Sequence, residues 1–330
     1  MNKLSISARA SWSLAALALA ISSLSNLAGA QTIAPPDTQT LQAAPSAGAP
    51  SVAQDADATT AASATSNPIS DYFAHWFDRV HQAQSTQPHW ITPIATVTPR
   101  LEEEFRYDQF WQSQSSGARL DISDGGKGLE LIPTTSNEIL INLPPYQDRT
   151  VKKPASGFND WQFLVIKQRL LSANEESGNY IVTAFFGVQA PTGIAAFTNH
   201  AWVITPTLAA GKGWGNFDVQ GTIGVPIPLS DEKIIGTSVV SNVTLQYHIG
   251  EVFWPELEFN TTYWADGQRA GKTQVFLTPG FVLGRFPLGA GLRGIIGLGY
   301  QIAISPTLTR EPVLTPTYNH AWILTARAAF

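Results

Sequence analysis

The stretch PELEFNTTYW (255–264) alternates between two chemistries. Glu256, Glu258, Asn260 and Thr262 fall on one side, and Leu257, Phe259, Thr261 and Tyr263 on the other. A helix would scatter these residues around its circumference, whereas a strand sends successive side chains to opposite faces. SNVTLQYHIG (241–250) repeats the pattern, with Val243, Leu245, Tyr247 and Ile249 opposite Asn242, Thr244, Gln246 and His248. FDVQGTIGVPI (217–227) sets Phe217, Val219, Ile223, Val225 and Ile227 against Asp218, Gln220 and Thr222. In RLEEEFRYDQF (100–110), Leu101, Phe105 and Tyr107 oppose Glu102, Glu104, Arg106 and Asp108, with Glu103 interrupting the apolar side.

A soluble sandwich would also alternate, so other features must decide. Many runs reach roughly 11–14 residues, against about 5–6 in soluble sheets, and about 9–11 tilted residues cross a bilayer. Trp111, Tyr180, Trp202, Phe253, Trp254, Tyr263, Trp264, Trp322 and Phe330 lie near strand ends, where the interfacial girdles of a membrane barrel belong. Strands are predicted at 101–111, 128–133, 138–143, 159–171, 179–190, 200–209, 215–227, 238–249, 252–264, 272–284, 290–304 and 317–330. With a periplasmic N-terminus, the opposite side receives the longer connections, including 112–127 and 144–158, as outer-membrane barrels require. The pattern predicts an all-β, transmembrane, antiparallel up-and-down barrel of about twelve strands. Ten remains open, because 128–133 and 138–143 are short and limited by Pro133 and Pro144.

The N-terminal third reads differently. Lys3 and Arg9, an apolar core from Trp12 to Ile21 and Ala28-Gly29-Ala30 form a secretory signal peptide over 1–30. Residues 31–68 are rich in Ala, Pro, Ser and Thr, too poor in apolar surface to offset ordering entropy, and are expected to be a disordered leader. In the segment 69–90, Tyr72, Phe73, Trp76, Phe77 and Val80 recur at helical spacing. This predicts a short amphipathic helix that packs on the barrel, enters its mouth or lies on the inner membrane face. The barrel is expected over 91–330. Without Lys3 and Arg9 the chain carries 18 basic and 25 acidic residues, a net charge of −7, which speaks against nucleic acid as a partner. There is no cysteine, hence no disulfide framework and no thiolate metal site.

The chain end alternates Trp322, Leu324, Ala326, Ala328 and Phe330. It resembles the terminal strand of bacterial outer-membrane proteins, and the resemblance implies outer-membrane lipid and the barrel-insertion machinery as partners. YIVTAFFGVQAPTG (180–193) and VITPTLAAGKGWGNFDVQGTIGVPIP (203–228) resemble the outer-membrane barrels grouped with phenol-degradation pathways, mostly assigned as transporters. That resemblance spans roughly 95–330. It carries no catalytic residues and does not assign an aromatic solute.

The inward polar face offers the candidate functional residues: Glu102, Glu104, Arg106, Asp108, Asp218, Glu256, Glu258, Arg293 and Arg327. A charged lumen sets solute selectivity; alternatively, the same charges form ion pairs that only stiffen the barrel. In "WQFLVIKQRLL" (161–171), Lys167 and Arg169 share a face with Phe163 and Val165, which leaves the inward side undecided. NHAW occurs twice, at 199–202 and 319–322. His200 and His320 would each sit beside a girdle Trp on two strands entering from one rim. As a surface lipid hydrolase, the less favoured alternative, the chain would need a Ser about 3 Å from one of them. The glycines of GAGLRGIIGLG (289–299) lack the strand-turn-helix context and Lys of a phosphate loop and are read as aids to bending and close packing. The expected function is passive passage of small solutes, hydrophobic or aromatic ones among them, with no cofactor or metal. A pore-less structural or surface-interaction barrel is the alternative.

Overall fold

The computed structural model describes residues 67–114, 117–125, 127–150, 153–305 and 318–330. The expected signal peptide and nearly all of the leader lie outside them. Twelve long strands follow: β1 (Glu104–Gln114), β2 (Arg119–Ser123 and Gly128–Thr134), β3 (Asn137–Asn142 and Tyr146–Thr150), β4 (Ala155–Phe158 and Trp161–Ala173), β5 (Tyr180–Ala190) and β6 (Val203–Trp214). The second half comprises β7 (Phe217–Gly224, with Ile227–Pro228), β8 (Ser238–Tyr247), β9 (Phe253–Trp264), β10 (Thr273–Gly289), β11 (Leu292–Ser305) and β12 (Tyr318–Ala329). Each pairs antiparallel with its sequence neighbours, and β12 returns to β1 from Glu104↔Ala329 to Ser113↔His320. Closure leaves no strand edge unpaired around the ring, which is the condition for placing a sheet in lipid.

Twelve is therefore the strand number, and the two segments that looked too short are halves of longer strands. The predicted outer connections 112–127 and 144–158 contain their continuations, Arg119–Ser123, Tyr146–Thr150 and Ala155–Phe158. The alternation is lost where the chain kinks: at Asp124, whose φ is 55°, at Pro144-Pro145, and at Asn159-Asp160. Asn159 N–H donates to Pro145 C=O at 2.8 Å, so two of these kinks face each other across the wall. The first strand starts at Glu104 rather than 101. Leu101 N–H and C=O are bonded at 3.0 and 2.8 Å by the Gln87 side chain, which withdraws that residue from the ladder.

At the near end, where β1 begins, the connections are 135–136, 174–179, 215–216, 248–252 and 290–291. At the far end, 191–202, 229–237 and 265–272 are longer, but 112–127 and 144–158, which were predicted among the long connections, are largely taken up by strand, so the asymmetry holds only in part. The helical segment forms α1 (Pro68–Ala74) and α2 (Trp76–Ser85). Val80 and Ala83 of α2 bury against Leu101 and Ile132 of the near end, and Tyr72 donates to Pro133 C=O at 2.8 Å.

The barrel is inside-out relative to a soluble protein. Phe105, Trp111, Ile141, Phe186, Phe259, Ile296 and Trp322 are exposed on its outer wall, while Arg106, Asp108, Glu138, Lys167, Glu258 and Arg327 are buried. A belt of this kind needs apolar surroundings, and enclosed charges need partners.

Candidate functional site

The lumen holds those partners, and many of them come from a segment the sequence did not place there. Residues 87–103 run inside the barrel, with Ile91, Ile94, Thr96, Thr98 and Leu101 at 1 % exposure or less. Pro88, Pro93 and Pro99 keep this segment out of helix and sheet ladder, so its buried backbone groups must be met by side chains.

The wall supplies them. Glu256 of β9 accepts from Ile94 N–H at 3.0 Å. Glu258, one pleat on, accepts from Ala95 N–H at 2.7 Å and from Thr96 N–H and hydroxyl at 2.6 and 2.5 Å. Arg327 of β12 donates to Thr92 and Pro93 C=O at 2.7 and 2.8 Å, and Arg106 of β1 to Ile94 C=O at 2.5 Å. Gln220 of β7 donates to Ile91 C=O at 3.0 Å and accepts from the Thr98 hydroxyl at 2.7 Å. Arg285 donates to His89 and Trp90 C=O at 2.5 and 3.0 Å. The segment's apolar side packs Ile91 and Ile94 onto Trp254, Val282, Ile295 and Ile323.

Glycines of the wall make the room. A Cβ on Gly284 would lie 2.7 Å from Ile91 Cδ1, and one on Gly211 would lie 2.4 Å from Trp90 Cζ3. On Gly297 it would be 3.3 Å from Ile94 Cγ1. Gly297, one of the glycines read from sequence as aids to bending, is also a seat of this inner segment.

The plug interrupts the lumen and leaves space on both sides. Toward the near end, a cavity of about 410 Å³ lies among α2, Glu102, Glu104, Arg285 and Arg293. Beyond Val97, toward the far end, a second cavity of about 300 Å³ is bordered by Lys127, Glu130, Lys167, Phe185 and Asn242.

The predicted lumen residues divide accordingly. Glu102, Glu104, Arg106, Asp108, Asp218, Glu256, Glu258 and Arg327 are all buried, and Arg293 is exposed at the near-end rim. Arg106 pairs with Asp108 at 2.9 Å and Glu102 with Arg100 of the plug at 2.9 Å. Asp218 accepts from Gln220 at 3.1 Å. Sequence reasoning missed Glu130, Glu138, Gln220 and Arg285. On β4 the inward face is the odd one: Lys167 is buried, 2.7 Å from Glu138 and 3.6 Å from Glu130. Ile166 and Leu170 point outward.

Of the predicted girdle residues, Trp111, Trp202, Tyr263 and Trp322 are exposed, whereas Tyr180, Phe253 and Phe330 are half-buried. Trp254 and Trp264 are buried. Strict alternation already put both on the side of Glu256 and Glu258, and Trp254 stacks on His248 at 4.3 Å.

The two NHAW copies share the far rim without sharing a conformation. Asn319–Trp322 lies within β12, but His200 has a φ of 58° in the connection before β6. Asp160 orders that connection through Gly193 N–H and Asn199 N–H, at 3.1 and 2.8 Å. Among the described residues, no hydrogen bond joins either histidine ring to a serine, and no cluster of three or more His, Asp or Glu is placed to hold a metal.

In the turn 174–179, Glu175 accepts from His89 N–H at 2.5 Å and pairs with its ring at 2.8 Å. Partial burial alone would raise its carboxyl, but the bonds from His89 outweigh this and hold its pKa below the ordinary value.

These features define a closed barrel of the membrane type: twelve antiparallel strands, apolar outside, charged and plugged inside. Two solved structures of outer-membrane proteins align with it. An outer-membrane channel from Pseudomonas putida F1 aligns over 73 % of this chain and 100 % of its own, with a TM-score of 0.50 at 13 % identity. OmpT, an outer-membrane protein of Vibrio cholerae, aligns over 69 % of this chain and 95 % of its own at 9 % identity, with a TM-score of 0.28. The first of these establishes the barrel fold. No protein-family model matches the chain, and no curated sequence does.

Proposed function

We propose that the chain is an outer-membrane barrel that passes small solutes by diffusion, held closed by residues 87–103 in the state described. The observation that carries this reading is a polar lumen with open volume on both sides of one removable segment. A barrel needed only as a wall has no use for a cavity of about 300 Å³ beyond its plug. The bonds that hold the plug run mostly from wall side chains to its backbone, none is a bond of the strand ladder, and they can be exchanged for water without unpairing the wall. The exported N-terminus, the resemblance to transporters of the phenol-degradation group and the similarity to a channel of Pseudomonas putida F1 support the same reading. In this orientation the near end is periplasmic, the exposed aromatics anchor the wall at the interfaces, and Phe330 closes the strand that the insertion machinery reads.

A pore-less structural barrel is the second reading, and the number of bonds saturating the plug favours it. Refolded protein in planar bilayers separates them. Stepwise conductance with a defined cation-to-anion ratio is the expected result. Silence over repeated insertions, with the plug contacts also weakened by Glu258→Gln, would establish the pore-less barrel.

A further inference from the structure

The far-side cavity carries more than open volume. Its border has a sidedness that selects a ligand. Of the charged groups around it, Lys167 is neutralised by Glu138 at 2.7 Å and Glu130 at 3.6 Å. Lys127, at the kink that divides β2, enters none of the ion pairs formed by described residues and faces the same space. Around it stand Leu140, Val165, Phe185 and Val240, with Thr205 and Asn242 among the polar groups. Mostly apolar walls with a few fixed polar groups are the make-up of a small-molecule site, and about 300 Å³ suits a small solute. An ammonium whose carboxylates, Glu130 and Asp108, act on it only from beyond ion-pair distance gains more from an incoming anion than one that is already paired.

We propose that this cavity binds small carboxylates with an apolar body, the carboxylate at Lys127 and the body against Leu140, Val165 and Phe185. The assignment deepens the solute-passage reading by naming the class of solute that rests above the plug.

Three probes of one shape test it: hexanoate, hexanamide and hexylammonium, titrated into the refolded full-length chain in detergent and read by saturation-transfer NMR. Hexanoate is expected to bind roughly 10- to 100-fold more tightly than hexanamide, the range of a charge-assisted contact, and hexylammonium not at all. Lys127→Met should remove the preference and Lys127→Arg keep it. Val165→Trp fills the cavity from the wall and should abolish specific binding of every probe, leaving only partition into detergent. It also serves as the second test should Lys127→Met fail to refold. Equal binding of hexanoate and hexanamide, or binding unaffected by Val165→Trp, would overturn the proposal. A barrel that conducts without charge preference for these probes loses the site and keeps the channel. A silent barrel that still selects hexanoate does the reverse.

Discussion

At the scale of single residues, Glu258 shows how a side chain legible in sequence acquires a role that is not. Its place on the polar side of β9 follows from period two alone. Its partners, Ala95 and Thr96, lie 163 and 162 positions earlier, and no local pattern announces them. Three donors from the plug converge on this one carboxylate, and the Thr244 hydroxyl adds a fourth at 3.2 Å. Glu258→Gln keeps the shape but replaces one acceptor oxygen with a donor. We expect a loss of about 1–3 kcal/mol at the seat, read as a higher open probability in planar bilayers and a lower midpoint of thermal unfolding by circular dichroism. An unchanged midpoint and unchanged conductance would show that the clamp contributes nothing.

At the scale of elements, the strands were legible wherever alternation runs unbroken, as in β8 and β9. They were not legible across Asp124–Lys127 or Pro144-Pro145, where a kink makes one strand look like a short strand and a loop. The plug itself was illegible for a related reason. QPHWITPIATVTPR (87–100) has neither a helical nor a sheet period, because its conformation is dictated by side chains of distant strands. Three prolines among threonines and isoleucines were the available signal: an apolar segment unable to join a ladder needs a polar enclosure. The junction between α2 and the plug is fixed to the 174–179 turn through His89 and Glu175. Since the Glu175 pKa is depressed in the folded state, its contribution is present above the ordinary carboxylate range and is lost as pH falls through the lowered value. Acidification below roughly pH 4 should therefore loosen this junction. A nitroxide at Gln84 should gain mobility in that range, and Glu175→Gln should show the mobile spectrum at neutral pH already. A spectrum independent of pH in the unaltered protein would contradict the assignment.

At the scale of the whole molecule, the partition of charge inward and apolar surface outward was readable from alternation, and with it the closed ring. In the proposed function, conduction requires the plug to move, and the plug can be locked. The chain has no cysteine, so Ile94→Cys with Gly297→Cys introduces its only thiols. The two sites are close enough for the test, since a Cβ on Gly297 would lie 3.3 Å from Ile94 Cγ1. Oxidation should silence the conductance of a Glu258→Gln barrel and reduction should restore it. Conductance that survives the oxidised bridge would mean that solute passes around the plug.

The plug also dictates an order of assembly. It precedes every strand in the chain, yet most of the groups that hold it belong to β7, β9, β10 and β12, and the last of these reaches it across 235 positions. Its socket does not exist until the final strand has met the first. Contacts of such long range form late, after the entropy of bringing distant segments together has been met. Contacts of this range favour an order in which the ring closes first, as an empty, water-filled barrel, and the plug docks afterwards. The interval between ring closure and docking is when the barrel would leak, and docking speed sets how long it does so.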